Sequence, residues 1–170
     1  MAASGSWARR TRVVLRIAVK DIQLYFLKGP NLTFGILLPS VLYGSYATDR
    51  VMEPALFVPG LVAMAILFGA GAIQGVALPL ERRTGTLQVL LTAPVSPAML
   101  MFAKALAGTF FGVALSLVYV AIVYLLTSLR PHPGLFLLSS VLCSFCFSCF
   151  GLLLAVPFRD IPQAMPPATV

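Results

Sequence analysis

Few residues of this chain could perform chemistry, and their spacing argues against catalysis. The 170 residues include five acidic side chains and one histidine. The acidic residues lie near the ends of the apolar blocks rather than deep within them: Asp21, Asp49, Glu53, Glu81 and Asp160. A carboxylate proton relay or a metal–carboxylate site in a membrane needs ionisable groups inside the spans. This lack of buried ionisable residues disfavours a membrane-embedded enzyme.

The remaining reactive side chains are equally isolated. His132 stands alone in a predicted loop, so it cannot activate the serines of the apolar blocks as a general base. Cys143, Cys146 and Cys149 form a C-x-x-C-x-x-C run inside one such block. A zinc or iron–sulfur site needs a fourth ligand, and no further cysteine or histidine lies nearby. We therefore expect no cofactor, no metal and no disulfide framework, but cysteines packed as small apolar residues.

The composition is that of an integral membrane protein. Hydrophobic residues make up 59% of the chain and charged residues 10%, with a mean hydropathy of +0.97. Average soluble domains are about 25% charged, and so apolar a chain could not hide its surface from water. A disordered chain is excluded for the same reason. Because the apolar residues come in long blocks, we predict an all-α polytopic fold rather than a transmembrane barrel.

The blocks define five helical elements in one domain. We predict an amphipathic helix in the membrane plane over residues 7–28 and transmembrane helices over residues 31–46, 54–80, 97–126 and 134–156. Pro39 is expected to kink the first span. Ser96 and Pro97 form a helix start, with serine as N-cap and proline at the first helical position.

The first helix has a basic side and an apolar side. At 100° per residue, its polar side holds Arg9, Arg12, Arg16, Lys20 and Gln23. Its apolar side holds Val14, Leu15, Ala18, Ile22, Tyr25 and Phe26. This pattern is typical of a helix lying in the membrane interface. The same arginines, with Asp21 as the single acidic residue, also fit a mitochondrial presequence.

The charge distribution predicts the orientation. The chain has 12 basic and five acidic residues, a formal net charge of +7. Half of the basic residues precede residue 30, and the loops on the opposite side hold only Arg50 and Arg130. The positive-inside rule then places the N-terminus in the cytoplasm, facing the anionic leaflet of the bilayer. We expect no nucleic-acid partner, since no basic and aromatic platform exists outside this segment.

Small residues in the spans predict close helix packing. Gly71 and Gly75 form one G-x-x-x-G pattern, and Gly108 and Gly112 form another. This spacing lets two helix backbones approach each other, within one chain or between copies. Gln74 lies between the first two glycines. We expect it to form an interhelical hydrogen bond, and the alternative is that it lines a substrate path.

The segment between the second and third spans, residues 81–96, is the most informative one, and we call it the coupling segment. Leu87, Leu90 and Leu91 lie at i, i+3 and i+4 and would share one apolar face. Residues 84–86, Thr-Gly-Thr, can supply a turn and a helix cap. The segment is either a short helix that faces a partner or an ordinary loop lying on the bilayer. The residue pattern alone favours neither.

The coupling segment resembles the signature of ABC type-2 export permeases. That pattern is roughly E-R-x-x-G-T-L-x-x-L-x-x-[TS]-P-x-S, followed by a span with a lysine near its start. The chain agrees at Glu81, Arg82, Gly85, Thr86, Leu87, Leu90 and Ser96, with Lys104 as the lysine. It departs by placing Ala93 between Thr92 and Pro94. Residues 56–61 also resemble the F-x-x-P-G-L entry of the family's second span, and the amphipathic helix resembles the family's in-plane helix.

The resemblance implies a permease subunit of an ATP-driven exporter of drugs, polysaccharides or lipid-like cargo, in the plasma (inner) membrane of a prokaryote. Because the chain has no G-x-x-x-x-G-K-[ST] loop, ATP hydrolysis is expected in a separate cytoplasmic ATPase subunit. That subunit would contact the amphipathic helix and the coupling residues Glu81, Arg82, Arg83, Thr84, Gly85, Thr86, Leu87 and Leu90. The permease would act as a homodimer or heterodimer.

One departure from the family concerns the number of spans. These permeases usually have six, and the pattern predicts four here, with residues 158–165 leading toward a fifth. The alternative function is therefore a non-transporting membrane scaffold, or a half permease that a partner chain completes.

Overall fold

Apolar blocks of this length form helices because a helix satisfies its own backbone polar groups. The computed structural model describes residues 3–26, 29–49, 54–92, 96–126 and 132–157. Within these ranges the chain is helical and contains no strand, which confirms the all-α prediction. The helices are α1 (Ala3–Asp21), α2 (Gly29–Asp49), α3 (Pro54–Ile66), α4 (Ala72–Arg83), α5 (Thr86–Thr92), α6 (Pro97–Leu126) and α7 (Pro133–Ala155). Two π-helical turns follow α1 and α3, at Ile22–Phe26 and Leu67–Gly71.

Three helices of the described ranges are long and apolar enough to cross a membrane: Phe57–Arg83, Pro97–Leu125 and Pro133–Ala155. The chain is therefore a multi-pass membrane protein. The first of these three helices continues to Arg83, about one turn beyond the predicted end at residue 80. Of the predicted outer charges, Arg50 and Arg130 lie outside the described residues, as does the tail from residue 158.

The predicted span over residues 31–46 differs from the other three. It lies within α2, which has 21 residues. Among the residues whose side chains the structure describes, its apolar stretch is Gly35–Ser45. The four predicted spans thus correspond to three candidate membrane-spanning helices and to α2.

The apolar side of α1 packs against the protein itself. Ala18 lies in a buried cluster with Ala107 of α6, and Ile17 lies in another with Leu100. Leu15 was predicted on the apolar side, yet 62% of it is exposed, beside the exposed Arg12 and Arg16. The amphipathic helix therefore uses much of its apolar side to contact α6.

Small residues allow α7 to approach its neighbours closely. A Cβ atom on Gly108 would clash with the hydroxyl of Ser148, and one on Gly112 would lie 2.9 Å from the Cβ atom of Ser144. Ser148 donates a hydrogen bond to the carbonyl of Ala105 at 3.0 Å. The α6–α7 contact thus leaves no room for larger side chains at Gly108 and Gly112.

α4 approaches α7 in the same manner. A Cβ atom on Gly71 would lie 3.1 Å from the carbonyl oxygen of Phe147, and one on Gly151 would clash with the Gly71 carbonyl. At Gly75 the corresponding distance to the Gly151 carbonyl is 3.8 Å, an ordinary contact. Backbone therefore meets backbone at Gly71 and Gly151.

A buried tyrosine links α2 to α6. Pro39 lies inside α2 and has no N–H group, so the carbonyl of Gly35 lacks its usual helical donor. The hydroxyl of Tyr119 donates to the carbonyl of Gly35 at 3.3 Å and also to that of Ile36. Ser40 donates to the Ile36 carbonyl at 2.6 Å. The Tyr119 hydroxyl thus supplies a shared donor near the carbonyl that the proline leaves without a helical one.

Candidate functional site

Four charged side chains meet where α1, α4 and α6 come together, and we call Lys20, Asp21, Glu81 and Lys104 the ion cluster. The ammonium of Lys104 donates to Asp21 Oδ2 at 2.9 Å and lies 2.8 Å from Glu81 Oε2. The ammonium of Lys20 lies 3.4 Å from Glu81 Oε1 and 3.6 Å from Asp21 Oδ1. Two lysines thus balance two carboxylates.

The ion cluster is almost completely shielded from solvent. The side chains of Glu81 and Lys104 are fully buried, and that of Asp21 is 2% exposed. Lys20 is 31% exposed, so it covers the outer side of the cluster. The expectation that the chain lacks buried ionisable residues was therefore wrong. Asp21 and Glu81 lie near helix ends, as the sequence indicates, but the packing of α1 encloses both of them.

The register of α4 explains why Glu81 faces α6. Gln74 and Glu81 are seven residues apart, two helical turns, so they share one side of the helix. The side-chain amide of Gln74 donates to the backbone carbonyl of Lys104 at 2.5 Å. α4 therefore contacts Lys104 at two points. Gln74 binds the backbone carbonyl of Lys104, and Glu81 pairs with its ammonium group. Gln74 forms an interhelical hydrogen bond and is buried.

Tyr25 adds a hydroxyl donor to the cluster. It lies in the turn after α1 and donates to Glu81 Oε1 at 3.3 Å. Burial raises the pKa of Tyr25 above its ordinary value, and the nearby carboxylates of Glu81 and Asp21 raise it further. The phenol therefore stays protonated and remains a donor throughout the physiological pH range.

A two-residue turn connects α4 to α5. Gly85 has a φ of +72°, the left-handed conformation that favours glycine at a helix end. Its carbonyl accepts hydrogen bonds from the amides of Gln88 and Val89, so the same residue also closes the first turn of α5. The hydroxyl of Thr84 donates to the Leu80 carbonyl at 3.0 Å and lies 2.8 Å from that of Thr86. The turn predicted at residues 84–86 is present.

α5 packs its inner side on the same helices as the ion cluster. Leu87 and Leu90 contact the buried cluster formed by Ile17 of α1 with Leu100 and Ala103 of α6. On the outer side, 70% of Val89 and 49% of Leu91 are exposed. The short helix therefore has a fixed inner side and an exposed side with apolar residues.

The two arginines before the turn have different surroundings. Arg82 donates from Nη1 to the carbonyl of Val156, just beyond the end of α7, at 2.9 Å. Arg83 is exposed. Arg82 thus links α4 to α7, whereas Arg83 remains on the surface beside Thr84.

The structure separates the predicted site residues into groups. Glu81 is buried in the ion cluster. Thr84 and Gly85 form the turn, Thr86 is the first residue of α5, and Leu87 and Leu90 lie on the inner side of that helix. Sequence reasoning missed Lys20, Asp21 and Tyr25 as site residues, and identified Lys104 only as the lysine near the start of the third span. One signal could have found them: Asp21 falls on the apolar side of α1, where a charge needs a partner.

The arrangement is suited to linking helices. Each carboxylate of the ion cluster is paired with lysine, and no histidine, cysteine or serine lies among its members. Within the described ranges, no group of three or more His, Cys, Asp or Glu side chains could hold a metal ion. The site therefore joins α1, α4 and α6 and displays α5 on the surface next to them.

Comparison with known proteins adds one finding. The family model described as ABC-2 type transporter matches residues 14–170, nearly the whole chain. No curated protein and no solved structure matches the chain. The matched region includes the last eight residues of α1, residues 14–21, and all of the later helices.

Proposed function

The chain belongs to the ABC-2 type transporter family, and on that premise we propose that it couples ATP hydrolysis by a separate cytoplasmic subunit to the export of cargo. Family membership makes it a permease component of an ABC transporter, which is not itself catalytic. The proposed cargo is a drug, a polysaccharide or a lipid-like molecule. The proposed location is a prokaryotic inner membrane, with the N-terminus and the coupling segment in the cytoplasm.

The observation that carries this proposal is the exposed side of α5. A seven-residue helix is too short to be stable in water on its own. Its packing through Leu87 and Leu90 holds it in place, and this leaves Val89 and Leu91 exposed. Apolar side chains that a fixed helix leaves exposed are typical of a surface that a partner protein contacts.

In the proposed mechanism, the ATPase binds α5 and the turn at residues 84–86. Closure of two ATPase subunits around ATP would displace α5, and with it the ends of α4 and α6. A pair of ATPases requires two permease chains, so we propose a homodimer or heterodimer. The translocation path would lie between the two chains.

A photo-crosslinking amino acid at Val89 tests this proposal in native membranes. We expect it to capture a protein with an ATP-binding loop, identified by mass spectrometry. The matched control is the same amino acid at Leu135, which is similarly exposed at the start of α7. Equal capture at both positions, or crosslinks from Val89 to lipid alone, would show that α5 lies on the bilayer instead.

Charge reversal at Arg83 provides a second test. Arg83→Glu changes an exposed charge, whereas Arg82→Glu would also remove the contact with Val156. We expect Arg83→Glu to weaken ATPase association while the permease stays folded. If Arg83→Glu left ATPase association and export at the level of the unmodified protein, Arg83 would not be part of the ATPase contact.

A further inference from the structure

The ion cluster connects a helix at the start of the chain to the coupling segment. Asp21 is the acidic residue of α1, and Glu81 lies three residues before the turn that begins α5. Lys104 of α6 lies between them and contacts both carboxylates. A displacement of α5 therefore acts on α1 through two buried ionic contacts.

Separating these groups is unfavourable. An ion pair that is removed from solvent is screened far less than a surface pair. If Glu81 moved away while Lys104 and Asp21 stayed, a carboxylate would lose its partner in a buried position. Leu87 and Leu90 also contact the cluster around Ile17 of α1. Apolar and ionic contacts therefore both oppose the separation of α1 from the coupling segment.

We propose that the ion cluster makes α1 move together with the coupling segment, with Asp21 and Lys104 as positioning residues for energy coupling. The inference rests on the proposed function, because the ATPase supplies the displacement. It adds that α1 follows α5 through a specific ionic link. With its apolar contacts alone, α1 would not follow the displacement of α5.

The link itself can be tested without any ATPase. Asp21→Asn removes the charge that joins α1 to Lys104 and leaves the Glu81–Lys104 pair intact. We expect amide hydrogen exchange in α1 of the full chain, in lipid nanodiscs, to become about tenfold faster or more. Exchange along the α6–α7 contact should not change. The control is Gln23→Ala, which alters an exposed side chain just after α1.

Two outcomes of this measurement would overturn the link. Unchanged exchange in α1 would mean that the apolar contacts of Ile17 and Ala18, with the Lys20–Glu81 pair, hold the helix without the charge of Asp21. Equally faster exchange in α1 and in the α6–α7 contact would mean that Asp21 supports the whole fold.

The test of the coupled movement uses the complex of the permease with the ATPase that is captured at position 89. After Cys143, Cys146 and Cys149 are replaced by alanine, a Leu15→Cys variant places a thiol on the exposed side of α1. We expect ATP with vanadate to change its labelling rate with a maleimide several-fold. Asp21→Asn should abolish that change while crosslinking from position 89 to the ATPase persists.

The outcomes distinguish this proposal from the proposed function. Capture at position 89 without any ATP-dependent change at position 15 would overturn the coupled movement and leave the ATPase contact standing. An ATP-dependent change that survives in Asp21→Asn would overturn the role of Asp21. Absence of ATPase capture would overturn the proposed function, whereas the exchange result would still decide whether the ionic link holds α1.

Discussion

Glu81 and its neighbour Arg82 link the end of α4 to different helices. Glu81 is paired with Lys104 of α6 and Lys20 of α1, whereas Arg82 donates to the Val156 carbonyl beyond α7. Adjacent helical residues lie about 100° apart around the axis, so the two side chains reach different neighbours. The coupling segment thus begins at a point where four helices are held together.

Replacement of Lys104 by methionine should strongly destabilise the protein. The variant would leave two buried carboxylates with the partly exposed Lys20 in place of the buried Lys104, at a cost of about 3–5 kcal/mol. Unfolding by SDS in mixed micelles measures the change, with the exposed Arg16→Gln as control. Adding Asp21→Asn and Glu81→Gln should restore part of the loss, and a single variant as stable as the original would contradict the importance of the pairs.

A methyl group at Gly108 should disturb the α6–α7 contact. Its Cβ atom would clash with the Ser148 hydroxyl, so Gly108→Ala should lower the free energy of unfolding by about 1–3 kcal/mol. Gly60→Ala is the control, since no neighbouring atom lies within 4 Å of its Cβ position. Ser148→Ala in combination should reduce the cost, and equal effects of Gly108→Ala and Gly60→Ala would show that the contact is looser.

Substitution of Gly85 tests the turn between α4 and α5 without changing a residue of the ion cluster. Alanine at its φ of +72° should cost about 1–2 kcal/mol and speed amide exchange in α5. Gly85→Asn should have a smaller effect, because asparagine tolerates this conformation. Crosslinking from position 89 should fall in the alanine variant and persist in the asparagine variant. The reverse order would contradict the left-handed turn.

Tyr119 and Pro39 should be energetically coupled. Tyr119→Phe removes the donor to the Gly35 carbonyl and should cost about 1–3 kcal/mol. In a Pro39→Ala background, residue 39 regains an N–H that can donate to Gly35, so the same change should cost less. A double-mutant cycle of unfolding free energies gives the coupling. Additive effects would mean that Tyr119 does not replace the missing hydrogen bond.

The raised pKa of Tyr25 predicts a pH-dependent contribution to stability. A raised pKa favours the protonated phenol in the folded state, so its contribution is complete below the ordinary tyrosine pKa of 10.0 and declines above it. The difference in Tm between the unmodified protein and Tyr25→Phe should therefore be constant near neutrality and shrink above about pH 10. Lysines titrate in both proteins, so only this difference is informative. A constant difference up to about pH 11 would contradict the shift.

Local signals in the sequence were sufficient to predict much of the helical structure. Pro97 begins α6, and the amide of Met99 donates to the Ser96 hydroxyl at 3.3 Å, as an N-cap requires. The apolar blocks predicted the long helices because burial in lipid demands continuous helix. The turn at Gly85 was also indicated, since glycine beside threonines is a local feature.

Contacts between distant segments could not be predicted in the same way. Asp21 and Lys104 are 83 residues apart, and no pattern in the sequence states that α1 packs on α6. The sequence analysis noted Asp21 as the single acidic residue of the first helix but assigned it to neither side and named no partner. Likewise, the surroundings of Arg82 and Arg83 look alike in the sequence, and only the position of α7 distinguishes them.

The distance along the chain between the members of the ion cluster also has a consequence for biogenesis. Lys20 and Asp21 leave the ribosome long before Glu81 and Lys104, so Asp21 has neither Glu81 nor Lys104 nearby during early insertion. Lys20 and Asp21, without the buried lysine and carboxylate that complete the cluster, stay in water rather than among apolar helices. We therefore expect α1 to remain at the membrane surface until α6 has inserted, and to dock only then. Docking of α1 would mark the completion of membrane insertion through α6.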